Sequence, residues 1–194
     1  MSYLASLPGE QTLRELFPRY QGVAQPLLQL HENLLRGEGA LTAAEKELIA
    51  AHTSALNACA YCHDIHKTTA EAFGVEPGLL KALTEDPDTA PVDAKTGALL
   101  AFTRKVTLAP ARITAADADA VYAAGWSEDA LFEAVATCAL FNFMNRLVDG
   151  LGITATPERK KEGGHFLHKQ GYSGILRLLE SGSGGYFPPP PRVL

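Results

Sequence analysis

Sulfur and long apolar runs are both scarce in this chain. Its 194 residues hold three cysteines, and Met144 is the only methionine apart from the initiator. No unbroken stretch reaches the ~18 apolar residues of a membrane span. The N-terminus, MSYLASLPGEQTLRELF, lacks the basic start and continuous apolar core of a secretory signal. A cytoplasmic protein with no membrane partner is therefore expected. Basic charge is in deficit too: 17 Lys and Arg against 22 Asp and Glu give a net charge of −5, so no nucleic-acid partner is expected. Convincing alternation of apolar and polar residues is absent as well, and the expected fold class is all-α. In a compartment that keeps thiols reduced, two cysteines close in sequence are better suited to redox chemistry or metal binding than to a structural disulfide.

The scarce sulfur is concentrated. Residues 47–66, ELIAAHTSALNACAYCHDIH, contain Cys59, Cys62, His52, His63, His66 and Glu47. On a helix, steps of three and four place Cys59, Cys62 and His66 along one face. Glu47 is harder to bring near. In one unbroken helix it would stand about 18 Å from Cys59 at ~1.5 Å per residue. Asn57 is a good N-cap residue, so a break at Leu56–Cys59 is expected, with Asn57 opening a new helix. Both thiols would then sit in its first turns, where free backbone N–H groups favour thiolates, and the Glu47 helix could fold back toward them.

The rest of the chain reads as helices with clear stops. A short amphipathic pattern around Leu13, Leu16 and Phe17 ends at Pro18, and a second runs from Pro26 to the Arg36–Gly39 turn with His31 on it. Thr42-Ala43-Ala44-Glu45 is a capping box, the expected start of the Glu47 helix. The helix after the break should end near Ala72-Phe73-Gly74. Further helices are expected at Leu79–Thr84, at Ala94–Leu108, from Thr114 to Gly125, and from Ser127 to Val148. The last is apolar on nearly every side, as suits a central or shared helix, with Asn142, Asn145 and Arg146 as polar intrusions and Cys138 as an inert core thiol. A similar Thr-Ala-Ala-Asp string at 114–117 hints faintly at duplicated hairpins. A final helix is expected from about Gly174 to Leu179. Residues 1–180 then form one domain, and 181–194 a Gly/Pro-rich tail.

Several chemistries suit Cys59-Ala-Tyr-Cys62-His63-Asp-Ile-His66. In thiol redox catalysis one thiolate attacks, the other resolves the product to a disulfide, and His66 with Glu47 moves protons. Zinc could be held by Cys59, Cys62 and His66 with His63 or His52, but a second ligand pair further along is missing. Cys59-x-x-Cys62-His63 also matches covalent haem attachment, with Met144 the available second axial ligand. The plainest reading is two buried cysteines on a core helix. Redox chemistry uses the most of these residues, and neither a cofactor nor a metal is expected.

Glu47, eleven intervening residues, Cys59-x-x-Cys62, three more and His66 together resemble the core motif of the AhpD-like alkylhydroperoxidases, in the carboxymuconolactone decarboxylase superfamily. Residues 100–153 look like its peroxidase-related branch, and the likeness covers roughly residues 25–153. The resemblance implies an all-helical subunit forming a homo-oligomer (dimer, trimer or hexamer). It also implies reduction of a small organic hydroperoxide, with electrons from a thiol or dithiol such as a lipoyl or thioredoxin-like protein. Carried over by position, Cys62 is the peroxidatic thiol, Cys59 its disulfide partner, and Glu47 and His66 the proton relay. The best-known members place a histidine just before the second cysteine; this chain has Tyr61. The alternatives are a decarboxylase-like lyase on the same fold and a non-enzymatic, redox-responsive or metal-binding oligomer.

Overall fold

The computed structural model describes residues 2–7, 9, 11–86 and 89–181. Nine α-helices and no strands are found among them: α1 Leu13–Leu16, α2 Gln21–Arg36, α3 Ala43–Leu56, α4 Ala60–Ala72, α5 Leu79–Glu85, α6 Ala94–Leu108, α7 Ala115–Ala123, α8 Glu128–Gly150 and α9 Pro157–Glu180. The Gly/Pro-rich tail lies outside the described residues apart from Ser181. The capping signals behave as expected. Thr42 and Thr114 each form a reciprocal box with the acidic residue three positions on, and Ser127 accepts a hydrogen bond from the Ala130 N–H at the start of α8.

The most continuously buried helix is α3, with α8 reaching all three apolar clusters. Every residue from Lys46 to Ser54 is buried, whereas α8 leaves Phe132 and Phe143 exposed. The sequence hid this because the α3 interior is polar at Lys46, Glu47, His52, Thr53 and Ser54. Several of these find partners: Lys46 donates to the Gly37 carbonyl and pairs with Glu133, and Ser54 bonds to Ala50 and Asn145. Around α3, one apolar cluster gathers α5, α6, α7 and α8, and another gathers α2, α4, α8 and α9. By length and composition α8 could also cross a membrane. Here Ala130, Ala134, Phe141 and Val148 pack it into the helical core.

Two helices exceed their expected bounds. α2 starts at Gln21 and carries Pro26 inside it, giving up one backbone hydrogen bond. α9 starts at Pro157, seventeen positions before the expected Gly174. Its Thr156-Pro157 start is a cap followed by proline at the first helical position, a signal the polar composition of 158–170 obscured. Gly164 explains how α9 lies so close to α4: a Cβ there would stand 2.6 Å from Thr68 Cβ and 2.7 Å from the Ile65 carbonyl. The hairpin likeness does not carry into packing, since α3 and α4 pack closely whereas α7 and α8 touch lightly.

Candidate functional site

The chain breaks between α3 and α4, but the caps are exchanged relative to expectation. Asn57 ends α3, and Cys59 occupies the N-cap of α4. Ala58 between them has φ +57°, the left-handed region. Its N–H donates to the Ala55 carbonyl and that of Cys59 to the Ser54 carbonyl, the paired bonds of a Schellman stop with alanine where glycine is usual. The reversal lays α4 back along α3, and an acid twelve residues before Cys59 meets the helix that follows.

Glu47, wholly buried, uses both oxygens. Oε2 lies 2.6 Å from His66 Nδ1, and Oε1 accepts from Arg36 Nη2 at 2.6 Å. Burial opposes the charge on Glu47, yet the His66 imidazole and the Arg36 guanidinium outweigh it and hold the carboxyl below its ordinary value. Arg36, at the end of α2, also donates to the carbonyls of Leu35 and Leu167 and stands over the rings of Phe73 and Tyr172. It was not singled out as a site residue from sequence, where it read as part of a turn. With Nδ1 engaged by a carboxylate, His66 keeps Nε2 for proton exchange. Its ring is set edge-on to Phe141, 4.4 Å between centroids.

His66 and Cys62 line one cavity of about 380 Å³ between α1, α2, α4, α8 and α9. Its walls are chiefly apolar, with Leu28, Ile65, Phe141, Met144, Leu167 and Ile175 among them. Cys59 is buried behind it, in a small core with Val148 and Ile153. Both thiols are free and interact. The Cys62 thiol, against the penalty of burial and helped by the Cys62 backbone N–H, lowers the pKa of Cys59. The same interaction, with burial, raises Cys62. The pair thus gives up a first proton more readily than a second. Helix-start stabilisation therefore favours Cys59, and both thiolates are not favoured together.

Asn145 interacts with Cys62 and ties it to the rest of the break, accepting from Asn57 Nδ2 at 2.9 Å and donating to Ser54 Oγ at 3.0 Å. Asp149 borders Cys59 on the side of a polar recess lined by Asn57, Asn145, Arg146 and Gly150. Of the polar intrusions on α8, Asn145 thus reaches the thiol pair, whereas Asn142 bonds to Asn57, Thr107 and Cys138, and Arg146 to Asn142. Tyr61, in the position where a histidine is usual, accepts a hydrogen bond from the Leu13 N–H, and burial pushes its phenol far above the ordinary value. It closes the cavity as a neutral wall. Cys138 is a core thiol, donating to the Thr103 carbonyl at 3.3 Å and raised by burial.

The other histidines do not assemble a metal site. His63 Nδ1 lies 3.0 Å from the Ala51 carbonyl, and His52 is buried with Nδ1 unpartnered. Among the described residues no group of three or more His, Cys, Asp or Glu could hold a metal ion.

α9 completes the cavity through a kink at Gly171, whose φ is +61°. Glu32 Oε2 accepts the N–H groups of Tyr172 and Ser173 at 2.7 and 2.9 Å, capping the second half of the helix. A Cβ on Gly171 would meet Glu32 Oε2 at 2.8 Å. Tyr172 is thereby set against His31, ring centroids 4.9 Å apart, and both line the cavity.

In three dimensions the chain is similar to a peroxidase-related protein from Silicibacter sp. TM1040, with 26% identity, TM-score 0.67, and 71% of this chain and 72% of that one covered. A peroxidase-related protein with the alkylhydroperoxidase AhpD core, from Ralstonia eutropha JMP134, shows 24% identity, TM-score 0.71 and 77% and 78% coverage. The family model for carboxymuconolactone decarboxylase matches residues 21–105, which include Glu47, both motif cysteines and His66. That stretch is similar to the carboxymuconolactone decarboxylase family, and the chain has an AhpD-like helical fold. Its AhpD-like fold is shared with the debrominase Bmp8, at 22% identity, TM-score 0.64 and 77% and 81% coverage. No curated protein matches the sequence.

Proposed function

We propose that this AhpD-like protein is a thiol peroxidase that reduces organic hydroperoxides, with Cys62 as nucleophile and Cys59 as resolving thiol. The observation that carries the reading is the placement of Cys62 and the Glu47-bonded His66 on one apolar cavity, with Cys59 behind. An apolar chamber suits an alkyl or aryl hydroperoxide better than a charged substrate.

Because two thiolates together are not favoured, attack starts with Cys59 holding its proton. For attack, the Cys62 proton passes to His66 Nε2, and Glu47 stabilises the imidazolium. The Cys62 thiolate attacks the terminal peroxide oxygen; the S–O bond forms as the O–O bond breaks. The leaving alkoxide takes the proton from His66 and departs as an alcohol. The Cys59 thiol, the readier of the two to ionise, then attacks the Cys62 sulfenic acid: the S–S bond forms as the S–O bond breaks, and the departing hydroxide leaves as water with the Cys59 proton. A dithiol reductant returns the pair to the reduced state by thiol–disulfide exchange and is itself oxidised.

The test is peptide mapping before and after stoichiometric cumene hydroperoxide. A Cys59–Cys62 linkage is expected, together with peroxide consumption that Cys62→Ser abolishes. With Cys59→Ser, the Cys62 sulfenic acid should persist and be trapped by dimedone. Unlinked cysteines, or full turnover by Cys62→Ser, would overturn the reading in favour of a thiol-independent reaction such as a lyase activity.

A further inference from the structure

His31 takes no part in the relay, yet it is the other imidazole on the cavity. Its Nδ1 lies 2.7 Å from the Leu27 carbonyl, one turn back along α2. A carbonyl can only accept, so the proton of the neutral ring sits on Nδ1 and Nε2 is left as an acceptor. Among the described residues no protein group bonds to Nε2. The ring is fixed, edge-on to Phe141 at 6.0 Å and tilted against Tyr172 at 4.9 Å between centroids. Burial, opposed by the Leu27 bond and helped by His66, lowers its pKa to about 4 and keeps the ring neutral. An oriented acceptor on an apolar wall discriminates strongly, because a ligand that fills the cavity without a matching donor leaves it unpaired.

We infer that Nε2 of His31 accepts a hydrogen bond from the terminal O–H of the compound that reacts at Cys62, and so selects hydroxyl-bearing ligands such as hydroperoxides over isosteres lacking that donor. The inference rests on this cavity being where the oxidant meets Cys62. The bond is available throughout the proposed step. The terminal oxygen keeps its proton as it transfers to sulfur, and the proton taken by the alkoxide comes from His66. His31 therefore gains and loses nothing; it is a positioning residue, aligning the O–O bond with the Cys62 sulfur.

The test compares binding of cumyl alcohol with that of cumene, which differs only in lacking the hydroxyl, to the reduced protein by calorimetry. Wild type should prefer the alcohol by about tenfold, the ordinary worth of one such bond. His31→Leu should erase the preference while Cys62 alkylation by iodoacetamide stays unchanged, and His31→Gln should restore part of it. In turnover, His31→Leu should raise KM for cumene hydroperoxide more than it lowers kcat. In the unaltered protein, the nitrogen NMR resonance of His31 Nε2 should shift on adding the alcohol and not cumene; this arm survives if His31→Leu fails to fold. Equal binding of the two compounds by wild type, an unchanged preference in His31→Leu, or an unmoved resonance overturns the inference. If the alcohol preference and the resonance shift are present but cumene hydroperoxide is not consumed, the acceptor role stands and the peroxidase reading falls.

Discussion

Glu47 and His66 stand nineteen residues apart in the chain and meet at 2.6 Å in the core. Their contact depends on the reversal at Asn57–Cys59. It gives the imidazole a fixed tautomer on one side and frees Nε2 on the cavity side. Such an arrangement turns a surface-type acid–base residue into an oriented one.

Replacing Glu47 with Gln should lower peroxide turnover by about 100-fold or more, since the imidazolium loses its counter-charge. It should also cost about 3 kcal/mol of stability by leaving Arg36 half-paired in the core. The wild-type Glu47 pKa is lowered by folding, so its contribution is fully present above the ordinary value of 4.5 and is lost as pH falls through the lowered one. Urea unfolding of both proteins from pH 7 down to 3 should show this acid dependence in wild type and a weaker one in Glu47→Gln.

Ala58→Gly should stabilise the protein. The φ of +57° strains an L-residue by roughly 1 kcal/mol or a little more, and glycine escapes that strain at some entropic cost. The side chain is exposed, so no packing is lost. A rise in the urea midpoint worth about 0.5–1 kcal/mol, with unchanged peroxide turnover, is the expected result.

Gly164→Ala should act oppositely. The added methyl would lie 2.6 Å from Thr68 Cβ and 2.7 Å from the Ile65 carbonyl. α9 would have to move off α4, at a cost of about 1–3 kcal/mol. Because both helices wall the cavity, binding of cumyl alcohol should weaken along with thermal stability, and parallel calorimetry and melting curves test this.

His31 and His52 are both buried, and each is lowered to about 4 from 6.5. Between those values the unfolded chain binds more protons than the folded one, so stability rises with pH through that window and is fully present above 6.5. Each group should contribute a slope of up to about 1.4 kcal/mol per pH unit. His52→Leu, which also removes an unpartnered buried nitrogen, should flatten the loss between pH 6.5 and 4 by about half, as measured by urea midpoints.

The sequence carried the helix starts well, because capping is local chemistry: Thr42, Thr114 and Ser127 all act where their neighbours say they should. The motif spacing likewise pointed to Glu47 meeting His66, even though Asn57 was assigned to the wrong helix end. A left-handed alanine was the missing element, and nothing in the letters marks Ala58 for it. Arg36 and Tyr172 carry no such mark for another reason. Each reaches the site through tertiary contact with an element far off in the chain, and polar residues on ordinary helices carry no local sign of such a meeting. The first half of α9 was lost because its composition is polar and its glycines suggest a loop, whereas Gly164 serves close helix packing.

A carboxylate with both oxygens occupied and no contact with water is a cul-de-sac. Glu47 can hold the imidazolium in place but cannot hand its charge on to the bulk, so any hydrogen ion gathered by His66 has to leave by the chamber through which it came. In the proposed reaction, the compound in that chamber is thereby the carrier as well as the reactant.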